Sequence, residues 1–202
     1  MAVNTQQTPI TVDDLMQPEF DRIEIINGVR VEKMTASVIH HVIARNIFRI
    51  IEGYTTVKSH GEVFFDGLHY LMYSSTPTLK DSFLPDTSFV RNESIPKKWN
   101  PGKPYPGVPT LAIEVISDTE SAEVIGNKVS IYLEKGTEQV WVVYPTLKEV
   151  HQYINGDETT VKIYRGSTHL EVEALFPGLE LTTDQIFAMP DWVTEMQAEE
   201  DS

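Results

Sequence analysis

Two short runs, Arg22 to Ile26 and Val29 to Lys33, flank Asn27-Gly28, the dipeptide favoured in two-residue turns. The pattern predicts a β-hairpin after a polar lead-in over residues 1–20. From Ala36 to Gly53 the apolar period changes. Ile39, Ile43, Ile47 and Ile50 recur at helical spacing, with Arg45 and Arg49 elsewhere around the cylinder, and Gly53 is the expected stop.

Lys58 to Val90 reads as mostly extended, with strands at Val63-Phe64-Phe65 and Thr87 to Val90 separated by a Ser/Thr/Pro-rich loop. A second loop, Asn92 to Val108, holds Pro96, Pro101, Pro104 and Pro106; it cannot propagate regular structure and is expected to act as a flap. Leu111 to Ile116 is an apolar run interrupted only by Glu114, with the length of a buried strand. Ser121 to Lys135 reads as a helix ending at Gly136, and Gln139 to Tyr144 as a strand stopped by Pro145. Strand, helix, strand in this order predicts a right-handed parallel crossover. Glu149 to Ile154, Thr159 to Tyr164 and Leu170 to Leu175 are expected to form antiparallel strands turning at Asn155-Gly156 and Gly166, before an acidic, frayed tail over 191–202. No internal repeat is visible, so residues 1–190 read as one domain with residues 1–12 as its lead-in.

Composition narrows the chemistry. Apolar residues make up 41% of the 202 residues, and no apolar run approaches the roughly 20 needed to cross a bilayer. Met1 to Thr11 lacks the basic start and apolar stretch of a secretory signal, so a cytoplasmic location is expected. Cysteine is absent, which excludes disulfides, thiolate metal sites and a cysteine nucleophile. A metal would have to be held by oxygen or imidazole. Lys plus Arg number 16 against 30 Asp plus Glu, a net charge of −14. Such a balance works against tight non-specific binding to duplex phosphate unless divalent cations or a local basic patch offset it.

Two charged residues fall where the pattern should be apolar, and a third stands at a strand entrance. Glu114 shares one side of its strand with Ala112 and Ile116, and an isolated buried carboxylate costs at least several kcal/mol unless it is paired, protonated or bound to a cation. Lys128 sits among Val124, Ile125, Ile131 and Tyr132, at the centre of the apolar face that should pack on that sheet. Asp86 follows Pro85 at the entrance to a strand, 28 residues before Glu114. If the two strands are neighbours, the carboxylates converge. Two carboxylates and a lysine at one sheet edge meet the needs of metal-assisted phosphodiester hydrolysis: carboxylates to hold Mg²⁺ and an ammonium to stabilise charge or orient the nucleophile. The plainer alternatives are a structural Glu–Lys salt bridge and an aspartate serving only the turn.

Pro85-Asp86, Glu114-Val115-Ile116-Ser117, Lys128 with Tyr132 and Gly136, and Val140-Trp141-Val142 with Pro145 together resemble the Uma-two family of restriction-endonuclease-like proteins, within the PD-(D/E)XK nuclease superfamily. Ile23 to Gly28 and a helix bearing His40, Ile43 and Ile47 extend the likeness over roughly residues 13–180. The resemblance implies an α/β fold: a three-layer α/β/α restriction-endonuclease-like core with a central mixed β-sheet, plus additional antiparallel strands. It also implies a Mg²⁺-dependent DNA endonuclease, with Mn²⁺ as an alternative ion, and Asp86 and Glu114 as metal ligands. The superfamily's usual motif has lysine two residues after the acid, where this chain has Ile116, and Lys128 is read as the migrated lysine.

Other residues enter as auxiliaries. Glu24 is either a further ligand or a solvent-exposed strand residue, and His40 either a hydrogen-bonded core histidine or a base. His41 and His60 lack metal-ligand spacing, and Ser117 lacks a nucleophile-elbow context. Lys97, Lys98, Trp99 and Lys103 form the main basic stretch, read as a nucleic-acid contact or a solvated loop. A homodimer is expected by analogy. The competing functional class is a non-catalytic binding or assembly protein on a nuclease-like scaffold.

Overall fold

Asn27 and Gly28 both adopt positive φ (52° and 78°), as a tight hairpin turn demands, and they join β1 (Ile23–Ile26) to β2 (Val29–Glu32) in antiparallel register. The structure is a computed structural model and describes residues 9–73, 78–117, 120–157 and 160–200. Ser37 caps the next element, its side chain accepting from the His40 amide at 3.2 Å, and starts α1 (Val38–Lys58). The helix does not stop at Gly53. It continues to Ser59, whose left-handed φ of 53° ends it, because the buried stripe through Ile51 continues to Thr55 and one exposed glycine costs a helix only about 1 kcal/mol.

The remaining strands form one mixed sheet in the order β3 (Gly61–Phe65), β4 (Thr87–Arg91), β5 (Leu111–Val115), β6 (Gln139–Tyr144), β7 (Glu149–Ile154), β8 (Val161–Arg165). β5 and β6 run parallel, joined through α2 (Ala122–Glu134), and every other pairing is antiparallel. Strand alternation then sorts the side chains. Phe89, Ile113 and Trp141 point to the face covered by Ile43, Ile47 and Ile51 of α1. Ala112, Val140 and Val142 point to the face covered by Ile125, Val129 and Tyr132 of α2. Ile25 of the hairpin exchanges both backbone hydrogen bonds with Ser82, which ties the hairpin beside the α2 face. The result is the expected three-layer arrangement with extra antiparallel strands. Among the described residues, no helix is long and apolar enough to cross a membrane.

Four expectations need correction. Leu170 to Leu175 does not form a strand: the Leu175 and Phe176 amides turn back to the Val172 carbonyl, and Leu170, Val172 and Leu175 are buried as part of the α1-side core. The lead-in is not free, because Ile10, Leu15 and Phe20 bury themselves against Ile25, Leu71 and Leu79 in a small third core. The proline-rich loop is not a loose flap. Tyr105 and Val108 are buried, the Tyr105 hydroxyl donates to the Ser94 carbonyl, and the loop backbone is bonded to His69, Leu71 and Met72. After a short helix α3 (Thr183–Ile186) with a capping box, the acidic end is helical over α4 (Asp191–Glu200), with Val193 buried. Thr159, residues 74–77 of the Ser/Thr/Pro-rich loop, the start of the lead-in and residues 201–202 lie outside the described residues.

Two glycines test this architecture in opposite directions. A Cβ at Gly53 meets nothing within 4 Å, so Gly53→Ala should stabilise the protein by about 0.5–1 kcal/mol. A Cβ at Gly61 would come within 2.6 Å of the buried Phe89 ring, so Gly61→Ala should cost on the order of 1–3 kcal/mol. Urea unfolding of both variants checks the pair, and a helix ending at residue 53 would remove the gain at the first.

Candidate functional site

The antiparallel pairing of β4 with β5 matches Thr87 to Ile113, which brings the start of β4 and the end of β5 to the same end of the sheet. Asp86 and Glu114 therefore meet there, as the sequence anticipated. The Asp86 amide donates to the Ile113 carbonyl, and the Val115 amide donates to Asp86 Oδ2 at 2.7 Å. These two bonds fix the aspartate beside the residues flanking Glu114. Both carboxylates line one small cavity of about 20 Å³, together with Lys33, His40 and Glu120. That volume suits a single water or ion.

Each carboxylate is held by its own cation. Lys128, on the sheet-facing side of α2, places Nζ 2.8 Å from Glu114 Oε1 and 2.9 Å from Glu24 Oε1. Glu24 is therefore not a solvent-exposed strand residue: it is only 4% exposed, and its Oε1 also accepts from the Leu84 amide at 2.8 Å. Tyr132, one helical turn after Lys128, donates its hydroxyl to Glu114 Oε1 at 2.9 Å. Phe83 lies beneath the ammonium, 5.5 Å from Nζ to ring centroid.

Asp86 has a separate set of partners. Lys33, one residue past β2, donates Nζ to Asp86 Oδ1 at 2.6 Å and to the Leu84 carbonyl at 2.6 Å, with Asp66 at 3.7 Å. His40, in the first turn of α1, brings Nε2 to 3.2 Å from the same oxygen. The carboxylate accepts there, so Nε2 carries a proton toward Asp86 Oδ1. Nδ1 is buried and has no hydrogen-bond partner among the described residues. His40 is thus the bonded core histidine of the first reading, and also a direct neighbour of the candidate ligand.

These surroundings push the two carboxylates apart. Burial would raise the Asp86 carboxyl, but Lys33 and His40 outweigh it and hold the group well below the usual carboxylate range. Burial dominates at Glu114, opposed by Lys128 and reinforced by Glu24, and pushes it up to about 7. Burial would lower Lys128, yet Glu114 and Glu24 overcome it and keep the ammonium charged. The Tyr132 hydroxyl is raised by burial and then by the two glutamates, so it remains a donor.

Sequence reasoning missed Lys33 and the burial of Glu24. Lys33 shares the strand parity of Val31, whose side chain packs toward the α2-side core, and that alternation was the available signal. Lys97, Lys98 and Lys103 are exposed, while Trp99 is half-buried against Tyr105 and donates to the Pro104 carbonyl. Lys103 pairs with Asp13 and borders a cleft with Leu15 and His69, separate from the carboxylate cavity. The structure thus unites Asp86, Glu114, Lys128, Glu24 and His40, and leaves the basic loop elsewhere.

Divalent-cation chemistry can be tested against this donor set. Among the described residues, no group of three His, Asp or Glu side chains is placed to cage a metal. The residues do fit an ion that needs fewer protein ligands. A carboxylate offers about four acceptor positions, and Asp86 uses three of them on Lys33, His40 and the Val115 amide. Glu114 Oε1 takes Lys128 and Tyr132, and among the described residues no hydrogen bond reaches its Oε2. Mg²⁺ commonly takes one or two carboxylates and completes its shell with water and phosphate oxygens, which matches what remains.

The low-lying Asp86 has a pH signature. Its charged form is favoured by folding, so its contribution is fully present above the ordinary value of 3.8 and is lost as pH falls below it. Asp86→Asn should therefore cost on the order of 2–3 kcal/mol at pH 7, less than for a fully buried pair because Lys33 can turn toward solvent. The difference from the parent should shrink as pH drops from 5 to 3. Urea midpoints at pH 7, 5 and 3 measure it, and a pH-independent difference would contradict the assignment.

Comparison with known proteins agrees with this fold. The crystal structure of a protein from Anabaena variabilis ATCC 29413, described as "a putative nuclease belonging to DUF820", is similar with a TM-score of 0.74. The likeness covers 89% of this chain and 98% of that one at 22% identity, which speaks to the fold. Among curated proteins, none matches this sequence. The family model Uma2, described as "Putative restriction endonuclease", matches residues 12–184, which takes in the whole carboxylate site, and the chain belongs to that family.

Proposed function

We propose that this chain is a Mg²⁺-dependent endonuclease acting on DNA, with Mn²⁺ as an alternative ion. The observation that carries the reading is the pair of carboxylates, Asp86 and Glu114, brought to one sheet end around a common cavity and each locked by a lysine. Family membership and the nuclease description of the structural neighbour support it. Asp86 and Glu114 would hold the ion, which when bound polarises the scissile phosphate and lowers the pKa of a water. Lys33 lines the cavity and provides an ammonium where phosphate charge would gather. Lys128 and Tyr132 act through Glu114 by fixing its orientation, and His40 does the same for Asp86. The net charge of −14 gives divalent ions a second task, shielding a polyanionic substrate from an acidic protein.

One observation favours another class. The lysines already neutralise much of the carboxylate charge, and no three-ligand cage is present among the described residues. On that basis the runner-up is a non-catalytic binding or assembly protein that keeps the cluster for stability. A homodimer through the free edge of β8, where Val161 and Ile163 are exposed, and a cytoplasmic location complete the proposal. Sedimentation showing only monomer at micromolar concentration would remove the dimer.

Calorimetry with Mn²⁺ and a cleavage assay on single-stranded, duplex and branched DNA separate the two classes. Glu114→Gln should abolish Mn²⁺ binding and cleavage with the circular dichroism unchanged. Tyr132→Phe should weaken both by roughly 10-fold to 100-fold, the usual cost of losing a hydrogen bond that orients a ligand. Lys33→Met should suppress cleavage while Mn²⁺ still binds. Full Mn²⁺ affinity in Glu114→Gln would reject the metal assignment, and absence of cleavage on all three DNAs would favour the binding protein.

A further inference from the structure

A groove of about 580 Å³ shares Met34, His40 and Ser117 with the small carboxylate cavity, so the two adjoin. Its lining is mixed: Ile39 and Ile43 from α1, Ile116 past β5, and Phe187 and Met189 after α3 form an apolar side, with threonine, serine and His40 side chains beside it. Of the described residues that line it, Lys148 alone carries a fixed positive charge, and it stands at the exposed rim.

That lining is wrong for a duplex. Double-stranded DNA presents about one charge per 1.7 Å of axis, and proteins that grip it line the path with Lys and Arg. Here a single ammonium faces the groove in a chain of charge −14, and the main basic loop lies by a different cleft. The dimensions and chemistry suit an unpaired nucleotide instead. The apolar side, with its half-buried phenylalanine, gives a base a sequence-tolerant surface to stack on. The first turn of α1, with its Ser37 cap, lies between groove and cavity, and its amide end favours a phosphate. His40, in that turn and lining both spaces, adds a buried ring nitrogen, Nδ1, with no hydrogen-bond partner among the described residues.

We infer that the groove seats an unpaired nucleobase while the adjoining phosphate lies at the Asp86–Glu114 cavity, so the substrate is single-stranded DNA or an unpaired segment rather than continuous duplex. The inference rests on the nuclease reading for the identity of the polymer. It adds the strandedness and the residues that select it. Met34, 54% exposed at the junction of the two spaces, is the position where a change should act without disturbing the core.

The test is fluorescence anisotropy and cleavage with one labelled 12-nucleotide DNA, offered single-stranded and as duplex, in Mn²⁺ at fixed ionic strength. The expected result is single-strand binding at least about tenfold tighter than duplex, as loss of a stacked base implies. Met34→Glu should weaken it about fivefold or more, and Met189→Ala should weaken it also. Met16→Glu, an equally exposed methionine at the other cleft, should leave it unchanged. Duplex bound and cut as well as single strand, or Met34→Glu without effect, would overturn the inference and leave the nuclease reading standing. Single-strand preference with no cleavage would uphold the inference and overturn that reading, and no binding of either form would overturn both.

Discussion

The Lys128 ammonium between Glu24 and Glu114 is the interaction on which the rest depends. It joins three elements that are far apart in the chain, the first hairpin, the central strand β5 and the crossover helix α2, through buried contacts of 2.8 and 2.9 Å. Taking any one of these charges out of water alone costs several kcal/mol, so each is tolerable only because the others are present. Phe83 and the Tyr132 hydroxyl complete the enclosure. Removal of the lysine would leave two carboxylates facing one another across the sheet and helix interface. The arrangement specifies how the hairpin docks as much as it stabilises the core.

A second lysine makes the neighbouring carboxylate different in kind. Lys33 and His40 hold Asp86 ionised, while burial lifts Glu114 toward neutrality. The two neighbouring acids thus sit in opposed settings, Asp86 held as an anion by its cations and Glu114 raised by burial. Lys33 reaches the cavity that Lys128 does not line among the described residues. Under the proposed function, the duties of one lysine in the motif would be divided here between Lys33, which lines the cavity, and Lys128, which holds Glu114 from behind.

Under the proposed function, the approach to this site bears on how a protein so acidic would meet a polyanionic substrate. Stacking of a base on Phe187 would add an attraction that the acidic surface does not supply. Under the same proposal the negative phosphate would lie at one end, beside the helix α1 terminus and Lys33.

By itself the sequence determined what alternates and what recurs. The hairpin at Asn27-Gly28, the helix through Ile43 and Ile47, and the strand, helix, strand unit from Leu111 to Tyr144 follow from local periodicity and turn chemistry. Glu114 and Lys128 were legible as partners because a charge inside an apolar pattern must be compensated. Local pattern could not say that Glu24 is buried, since a four-residue hairpin strand looks alike whether its outer face meets water or the α2-side layer. It could not place Lys33 on Asp86, 53 residues away, or carry α1 past Gly53, because tertiary burial of Thr55 outweighed a local breaker. Leu170 to Leu175 carried a strand's composition and became a buried turn. Those outcomes belonged to packing: which faces meet, and which charges are thereby forced to share a cavity, are properties of the assembled layers that no single segment contains.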